Sequence, residues 1–249
     1  MRNIIIHSHI FKNAGTTFDY ILQNNFKDKF IDHRDDADIL KGKEKYLYAY
    51  LKENSNINAF SSHSIHFHPE DTSEFKFHQI YFIRHPIERV MSVYNFEKKQ
   101  GSTISLGGKM ANTLNFNDYV KWRMQEDVPA TIRNIHTIFL SGSGPATQNL
   151  DRMFEQAKQY INSSSLIGVV DRFDDSMMVF QKELAKDFST MKFSYQKKNV
   201  TDKSLIGMKQ KIEKVLSLLD TEVVKTLMDK NQYDIELYDI ANTRLTNRL

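Results

Sequence analysis

Hydrophobic positions along the chain fall into two kinds of pattern. Short, β-branched apolar runs occur at residues 3–10 ("NIIIHSHI"), 80–83 and 164–173, and they are typical of buried strands. The stretch at 58–69 alternates only in part and fits either a strand or a loop. Longer stretches between and after these runs have the spacing of amphipathic helices. The pattern therefore predicts an α/β protein with a mainly parallel sheet flanked by helices.

The first helical pattern directly follows the first predicted strand. Its apolar residues have the spacing i, i+3, i+4 and i+8, and they are Phe18, Ile21, Leu22 and Phe26. Thr16 and Asp19 resemble a capping box in which Asp replaces the usual Glu. We therefore expect a helix over residues 16–26, at the carboxyl end of a strand.

The remaining patterns indicate further helices and loops. A helix is predicted over 87–99, and the C-terminal third from about Ser204 is expected to be helical. The Gly-, Ser- and Thr-rich stretch at 100–113 predicts a mobile loop, and the charged stretch at 32–45 predicts a solvent-facing segment. No internal repeat or low-complexity linker interrupts the sequence, so residues 1–249 are predicted to form a single domain.

Composition restricts the class of protein. The chain has 249 residues, of which 40% are hydrophobic and 26% charged, as in a globular protein with a full core. The formal net charge of +3 is too small to indicate nucleic-acid binding by itself. It is just as compatible with a small anionic ligand, because the clustering of the charges matters more than their sum. The absence of cysteine excludes disulfides and thiolate chemistry and fits a reducing compartment. No run approaches the roughly 20 apolar residues of a membrane span, so we expect a soluble, cytoplasmic protein.

A turn of small residues joins the first predicted strand to the first predicted helix. Its residues are Lys12, Asn13, Ala14, Gly15, Thr16 and Thr17. The glycine permits close approach to the backbone, the threonines add hydroxyl donors, and the lysine adds a full charge. Backbone N–H groups and the helix dipole favour an anion at a helix N-terminus. The turn therefore predicts a phosphate or sulfate site, with an ordinary strand–helix turn carrying a surface lysine as the alternative.

This turn differs from the P-loop of ATPases and GTPases. The first Gly of G-x-x-x-x-G-K-[ST] is missing, and Lys12 precedes the small residues instead of following them. No Ser or Thr directly follows the lysine, so the usual magnesium ligand is missing as well. Both differences weigh against an ATP-dependent phosphotransferase.

A second anion-binding pattern follows the apolar run at 80–83. In "RHPIERVMSVY", Arg84 stands at the end of the predicted strand, and Arg89 precedes Ser92 by three residues on one helix face. An arginine fork with a hydroxyl suits a phosphate group. A structural ion pair of Arg84, with Ser92 as a helix-packing residue, is the alternative here.

Together, the two patterns resemble those of sulfotransferases that use 3′-phosphoadenosine 5′-phosphosulfate (PAPS), in particular a soluble, bacterial-type member of the carbohydrate (heparan-sulfate-type) O-sulfotransferase branch. The family's first signature is close to H-x-P-K-T-[AG]-G-T-[ST], and here it reads "HIFKNAGTT". Its second is close to R-D-P-x-x-R-x-x-S-x-Y, and here His85 stands at the family's Asp. Weaker similarities follow in the family's order at 133–142, 166–177, 197–201 and 231–241, so the resemblance spans nearly the whole chain.

The resemblance implies a P-loop-NTPase-like sheet and transfer of a sulfuryl group from PAPS to an acceptor hydroxyl. It places the 5′-phosphosulfate on the backbone of residues 13–17 and Lys12 near the bridging oxygen, where negative charge develops as the S–O bond breaks. It places the 3′-phosphate on Arg84 and Ser92. A late basic loop is expected to close over the nucleotide, with Lys197, Lys198, Asn199 and Thr201. PAPS is then the co-substrate and PAP the product, and no metal is required.

The histidines of "SSHSIHFHP" are candidates for the base that takes the acceptor's proton, because an imidazole has a pKa near neutrality. The family has its catalytic His or Glu shortly after the strand in this region, so the resemblance makes His63 the first choice, with His66 and His68 in reserve. The three could instead form a metal site, which stays an alternative. His7 and His9 lie in or beside the first strand and are interpreted as structural.

Two other functions stay open at this point: a PAP- or nucleotide-binding protein without catalysis, and an ATP-dependent phosphotransferase. The family branch favours a saccharide or glycoconjugate as acceptor. We expect the acceptor pocket in the variable loops at 32–60 and 100–130. No nucleic-acid partner and no membrane span are expected, and the sequence makes no prediction of the oligomeric state.

Overall fold

A computed structural model of the chain describes residues 1–143, 149–194 and 207–249. Within these residues, one sheet of five parallel strands has the order β2-β3-β1-β4-β5. The strands are β1 (Arg2–Ser8), β2 (Phe30–Asp32), β3 (Ala59–Ser62), β4 (Phe75–Ile83) and β5 (Ile167–Val169).

Helices connect the strands and form the C-terminal part of the described chain. They are α1 (Gly15–Phe26), α2 (Asp36–Glu53), α3 (Pro86–Gln100), α4 (Leu106–Thr113), α5 (Phe116–Arg123), α6 (Ile135–Leu140), α7 (Leu150–Ser163), α8 (Phe173–Leu184), α9 (Met208–Leu216), α10 (Thr221–Asp229) and α11 (Gln232–Thr246). The predicted α/β class, with a parallel sheet flanked by helices, is confirmed, and the arrangement is compatible with a P-loop-like sulfotransferase fold.

Strand β1 occupies the centre of the sheet, because it pairs with β3 on one edge and with β4 on the other. Its Ile4, Ile5 and Ile6 are fully buried, as expected for a strand that is covered on both faces. Ile4 and Ile6 belong to a core cluster that also contains Leu47 and Leu51 of α2. Each such side chain contributes roughly 1.5–3 kcal/mol on burial, which holds β1 firmly in place.

One region differs from the sequence prediction. The stretch at 100–113, predicted to be a mobile loop, contains α4, and the side chain of Ser105 caps this helix by accepting a hydrogen bond from the backbone N–H of Gly108. Local Gly content was a poor guide here, because a cap and tertiary packing decided the structure. The charged stretch at 32–45 is mostly exposed, as expected, and contains the beginning of α2, whose buried face includes Ile39, Leu47 and Leu51.

The described residues divide into two compact units. The first comprises those within Met1–Ile83, His136–Thr201 and Asp239–Leu249, and it contains the whole sheet. The second comprises those within Arg84–Ile135 and Asp202–Tyr238. That residues 1–249 form a single domain stays a prediction. No helix of the described chain is long and apolar enough to cross a bilayer.

The parallel register decides which residues meet at the carboxyl edge of the sheet. Ser8, the last residue of β1, lies opposite Ser62, the last residue of β3. His9 and His63 follow these two residues directly, and the backbone N–H of His9 donates to the carbonyl of Ser62 over 3.0 Å. The sheet therefore places the two histidines side by side at the edge where ligands bind in open α/β sheets.

Candidate active site

Residues 12–17, here called the anion loop, connect the end of β1 to the N-terminus of α1. Lys12 (φ 64°) and Ala14 (φ 60°) both have left-handed backbone conformations. Such conformations cost a non-glycine residue on the order of 1–3 kcal/mol each and occur preferentially at functional sites. Lys12 is half-buried, whereas Thr16 is exposed. The chain therefore tolerates local strain to give this turn its shape.

The backbone N–H groups of the anion loop are divided between internal and available donors. The N–H of Asn13 donates to the carbonyl of Ile10 over 3.1 Å, and that of Thr17 donates to the carbonyl of Ala14 over 3.0 Å. Ala14 is the N-cap of α1 and Gly15 and Thr16 are its first two residues, so the N–H groups of these three have no acceptor within the helix. Five residues were predicted to hold an anion through their backbone, and these three have N–H groups at the helix N-terminus, where anions bind.

The side chain of Asn13 anchors the anion loop to the sheet. Its Nδ2 donates to the carbonyl of Phe82 on β4 over 2.6 Å and lies 2.7 Å from Nε2 of His136 on α6. Asn13 is almost completely buried, so these bonds are protected from water. This residue was predicted to bind an anion through its backbone, and its side chain fixes the position of the turn.

A buried cluster of His7, His9 and Asp19 lies next to the anion loop. Nδ1 of His7 donates to Oδ1 of Asp19 over 2.7 Å, and Nδ1 of His9 lies 3.0 Å from Oδ2. The second contact is electrostatic and not an aligned hydrogen bond, because Nδ1 of His9 has no hydrogen-bond partner among the described residues. The predicted capping box is therefore wrong: Ala14 is the N-cap of α1, without a side-chain cap, and Asp19 is occupied by the histidines.

Gly15 lies against the His9 ring. A Cβ atom built on Gly15 would overlap Nε2, Cδ2 and Cε1 of that ring, all well within 3.0 Å. Gly15 has no positive φ that would itself require glycine. The glycine of the anion loop is therefore required here by the imidazole that packs against it.

The charges of this cluster depend on one another. Burial by itself raises the pKa of Asp19, but the charge and hydrogen bond of His7, together with the close contact with His9, outweigh that effect and lower the pKa well below its usual range. Burial lowers the pKa of His9, and Asp19 opposes that change. We therefore expect Asp19 to be ionised at neutral pH, as an acceptor for its neighbours.

His63 is held by its contacts with His9. Its Nδ1 lies 2.6 Å from the carbonyl oxygen of His9, and the two ring centroids are 4.0 Å apart. Burial, followed by the nearby His9, lowers the pKa of His63 to about 4. The imidazole is thus neutral at neutral pH, and an anion bound nearby would raise its pKa towards neutrality.

His66 and His68 have different surroundings. The His66 ring packs on Phe139 at 3.8 Å, burial lowers its pKa to about 4, and its Nδ1 has no hydrogen-bond partner among the described residues. His68 stacks on Tyr160 at 3.7 Å, and its two ring nitrogens each lie 3.0 Å from an oxygen, of Gln79 and of Leu140. The contacts of His68 are those of a structural residue.

The alternative of a metal site can be examined in the described part of the chain. His63, His66 and His68 are not brought together there as a metal-ligating group. The group whose ligand atoms all lie within 4.8 Å of one another is His7, His9 and Asp19. We interpret it as a cluster held by direct contacts, because Asp19 lies 2.7 Å from Nδ1 of His7, in a hydrogen bond, and 3.0 Å from Nδ1 of His9.

In the second unit, Arg84 lies two residues before the start of α3 and Ser92 lies within that helix. Nε and Nη2 of Arg84 both donate to the carboxylate of Glu88, with 2.6 Å between Nη2 and Oε1. The structural ion pair considered as an alternative for Arg84 is thus present. Arg89 is fully buried, donates to the carbonyl of Thr131 over 2.8 Å, and has its pKa lowered to about 10 by burial.

His85, which stands at the family's Asp, and the late basic loop complete the residues that the resemblance singled out. His85 is the N-cap of α3 but makes no side-chain capping bond, and its ring contacts that of Tyr238 at 5.0 Å. The late basic loop, with Lys198, Asn199 and Thr201, lies outside the described residues.

Sequence reasoning interpreted His9 as structural and overlooked Asp19 as a partner of the histidines. A signal was present, because the spacing H-x-H at the end of a strand directs both side chains to one face. Asp19 lies one helical turn after Gly15, and i, i+4 residues share a helix face. The sequence pattern does not reveal the register of β1 with β3, which places His63 beside His9.

The comparisons with known proteins concern nearly the whole chain. The model of the sulfotransferase family matches residues 2–240. A protein of Archaeoglobus fulgidus, described as uncharacterized, is 28% identical over 244 residues, which cover 96% of this chain and 95% of that protein.

Proposed function

The chain belongs to the sulfotransferase family, and from this premise we propose that it transfers a sulfuryl group from PAPS to a hydroxyl of a saccharide or glycoconjugate. One observation carries the proposal. The anion loop is a strained turn with a lysine at a helix N-terminus, its Gly15 lies against the His9 ring, and the His9 ring contacts the neutral His63. An anion site together with a base is what sulfuryl transfer requires.

We assign the 5′-phosphosulfate of the donor to the anion loop. The first-turn N–H groups of α1 are suitable donors for its oxygens, and the helix dipole adds positive potential. Lys12 supplies a full charge at the bridging oxygen, where negative charge develops. The positive field of the loop is the reason why the proposed reaction needs no metal.

We assign the 3′-phosphate of the donor to Arg84 and Ser92. The Arg84 fork is paired with Glu88, so a phosphate would have to share the guanidinium with that carboxylate. This competition predicts that the ionisation of Glu88 opposes binding. The late basic loop around Lys198 is proposed to cover the nucleotide.

The proposed transfer step moves one sulfuryl group and one proton. The acceptor oxygen forms a bond to sulfur while the bond between sulfur and the bridging phosphate oxygen breaks, and the electron pair stays on PAP. His63 takes the proton of the acceptor hydroxyl through its unprotonated nitrogen, and His66 is the second candidate for this role. A saccharide acceptor follows from the family branch that the signatures resemble. We propose a cytoplasmic location, and the cysteine-free sequence is compatible with that reducing compartment.

Transfer of ³⁵S from labelled PAPS to a panel of saccharides tests the proposal directly. The variants Lys12→Ala and His63→Ala separate the two roles. Turnover is expected to fall about 10²–10³-fold when the electrostatic donor is lost and about 10²–10⁴-fold when the base is lost. PAP binding is expected to weaken in Lys12→Ala and to stay nearly unchanged in His63→Ala.

The two competing functions predict different results. A nucleotide-binding protein without catalysis would bind PAP and give no labelled product with any acceptor. A phosphotransferase would be stabilised by ATP with magnesium more than by PAP in a thermal-shift measurement, since ligand binding raises apparent stability. Full activity in His63→Ala and complete loss in His66→Ala would move the base to His66 and leave sulfuryl transfer intact.

A further inference from the structure

Asp19, His9 and His63 form a continuous series of contacts beside the anion loop. The Asp19 carboxylate lies 3.0 Å from Nδ1 of His9, and the rings of His9 and His63 are 4.0 Å apart. All three side chains belong to the first unit. Asp19 lies on α1, His9 directly follows β1 and His63 directly follows β3. Of these three residues, only His63 has a proposed role, that of the base.

The contact between His63 and the backbone of His9 determines the tautomer of His63. A carbonyl oxygen is an acceptor, so Nδ1 of His63 must carry the proton that fills the 2.6 Å hydrogen bond. In the neutral ring, Nε2 then keeps the lone pair. His63 is thereby prepared to accept a proton at one defined nitrogen.

His9 in turn is fixed on several sides. Asp19 lies at Nδ1, Gly15 lies against the opposite edge of the ring, and the His7 ring stacks on it at 5.0 Å with an interplanar angle of 18°. Asp19 itself is oriented by the 2.7 Å hydrogen bond from His7. A side chain with such contacts has little freedom, so it defines the surface on which the His63 ring rests.

We infer that His9 and Asp19 are positioning residues for His63: Asp19 fixes the His9 ring, and His9 fixes the ring plane and the tautomer of His63, so that Nε2 takes the proton of the acceptor hydroxyl. The inference rests on the proposed function, because it takes His63 as the base. It gives the His9–Asp19 pair a role beyond packing, since misplacement of a reacting group by about 1 Å can cost 10²-fold in rate.

A second consequence is electrostatic. In the described chain, the ionisable groups that act on His63 are His9, Arg34 and Asp19. His9 and Arg34 lower the pKa of His63, and the Asp19 carboxylate raises it. Neutralising Asp19 should therefore lower the pKa of His63 further and move the acid limb of the activity profile to lower pH.

The test compares Asp19→Asn with the control Asp187→Asn. Asp187 is also a partly buried aspartate near a histidine, although on a more open surface than Asp19: its carboxylate lies 2.7 Å from Lys76 and 3.5 Å from His78. The exposed fractions of the two side chains, 13% for Asp19 and 17% for Asp187, are similar. Any general effect of losing a paired carboxylate should thus occur in both variants.

We expect Asp19→Asn to reduce kcat about 10- to 100-fold, with the KM for PAPS within about twofold of the wild type, and to move the acid limb of kcat/KM to lower pH. Asp187→Asn should leave kcat and the limb unchanged. The inference would be overturned if Asp19→Asn and Asp187→Asn had the same kcat and the same acid limb of kcat/KM, because a purely structural pair would not affect the titration of His63.

A measurement on the wild type keeps the inference testable if Asp19→Asn does not fold. Nitrogen-15 NMR of the histidine rings at neutral pH, assigned with His63→Gln, should show the proton of His63 on Nδ1. A proton on Nε2 would overturn the inference, as would stoichiometric zinc binding at His7 and His9, because a metal would occupy the same nitrogens. The tautomer does not depend on turnover, so failure of the proposed function, seen as no labelled product, is distinguishable from failure of this inference.

Discussion

Substitution of Gly15 by alanine measures how tightly the His9 ring packs against the anion loop. The new Cβ atom would overlap three ring atoms, and the ring would have to shift by roughly 1.0–1.5 Å to reach ordinary contact. Asp19 and His63 oppose that shift because they contact the same ring. Overpacking of this kind costs about 1–3 kcal/mol.

The same substitution should have the opposite sign when the ring is absent. Alanine is favoured over glycine within a helix by roughly 0.5–1 kcal/mol, and Gly15 has no positive φ that would penalise alanine. In a His9→Ala background, Gly15→Ala should therefore be neutral or slightly stabilising. The coupling energy between the two positions should reach about 1.5 kcal/mol or more.

Urea unfolding of the four proteins of this cycle gives the coupling energy, provided that the dependence of stability on urea concentration is the same in all four. Gly207→Ala is a control without overpacking, because the nearest described atom to its new Cβ would be 4.0 Å away; as the N-cap of α9 it should lose at most about 1 kcal/mol, and that loss should not depend on His9. Equal costs for Gly15→Ala in the wild type and in His9→Ala would refute the packing argument.

Three further results are expected. Arg84→Ala should remove most of the preference for PAP over AMP in calorimetry, by roughly 1.5–3 kcal/mol, whereas Glu88→Gln should tighten PAP binding; weaker binding in Glu88→Gln would mean that Glu88 orients the arginine. EDTA should leave sulfuryl transfer unchanged, and loss that zinc or magnesium restores would contradict this. Folding lowers the pKa of His63 and His66 from 6.5 to about 4, so the unfolded chain binds protons before the folded protein does as the pH falls. The free energy of unfolding should therefore decline between pH 6.5 and 4 by at most about 3 kcal/mol per histidine, and this decline should be smaller in His63→Gln.

Much of the fold could be predicted because short, buried apolar runs and the helical spacing between them decide it. Strands β1 and β5 overlap such runs and β4 ends on one, whereas β2 is an edge strand without one and the first half of α2 is rich in charged residues. Neither of these two has a strong local pattern, and both form because the rest of the sheet offers them a surface. Short edge strands and charged helices are therefore the elements that a single sequence leaves uncertain.

The candidate site could be predicted where it depends on neighbours in sequence. Lys12 and the small residues after it adjoin a strand and a helix, so their common location follows from local pattern. The contact of His9 with His63 depends on the register of β1 with β3, across more than fifty residues, which spacing does not reveal. The pair of Arg84 with Glu88 has i, i+4 spacing and could have been read from the sequence.

The central position of β1 has a consequence for the synthesis of the chain. This strand is synthesised before both of its partners, β3 at Ala59–Ser62 and β4 at Phe75–Ile83. At about 5–20 residues per second, translation from the end of β1 to the end of β3 takes roughly 3–11 s. During that interval Ile4, Ile5 and Ile6 have no sheet neighbours, so the nascent chain carries an exposed apolar segment that favours chaperone binding.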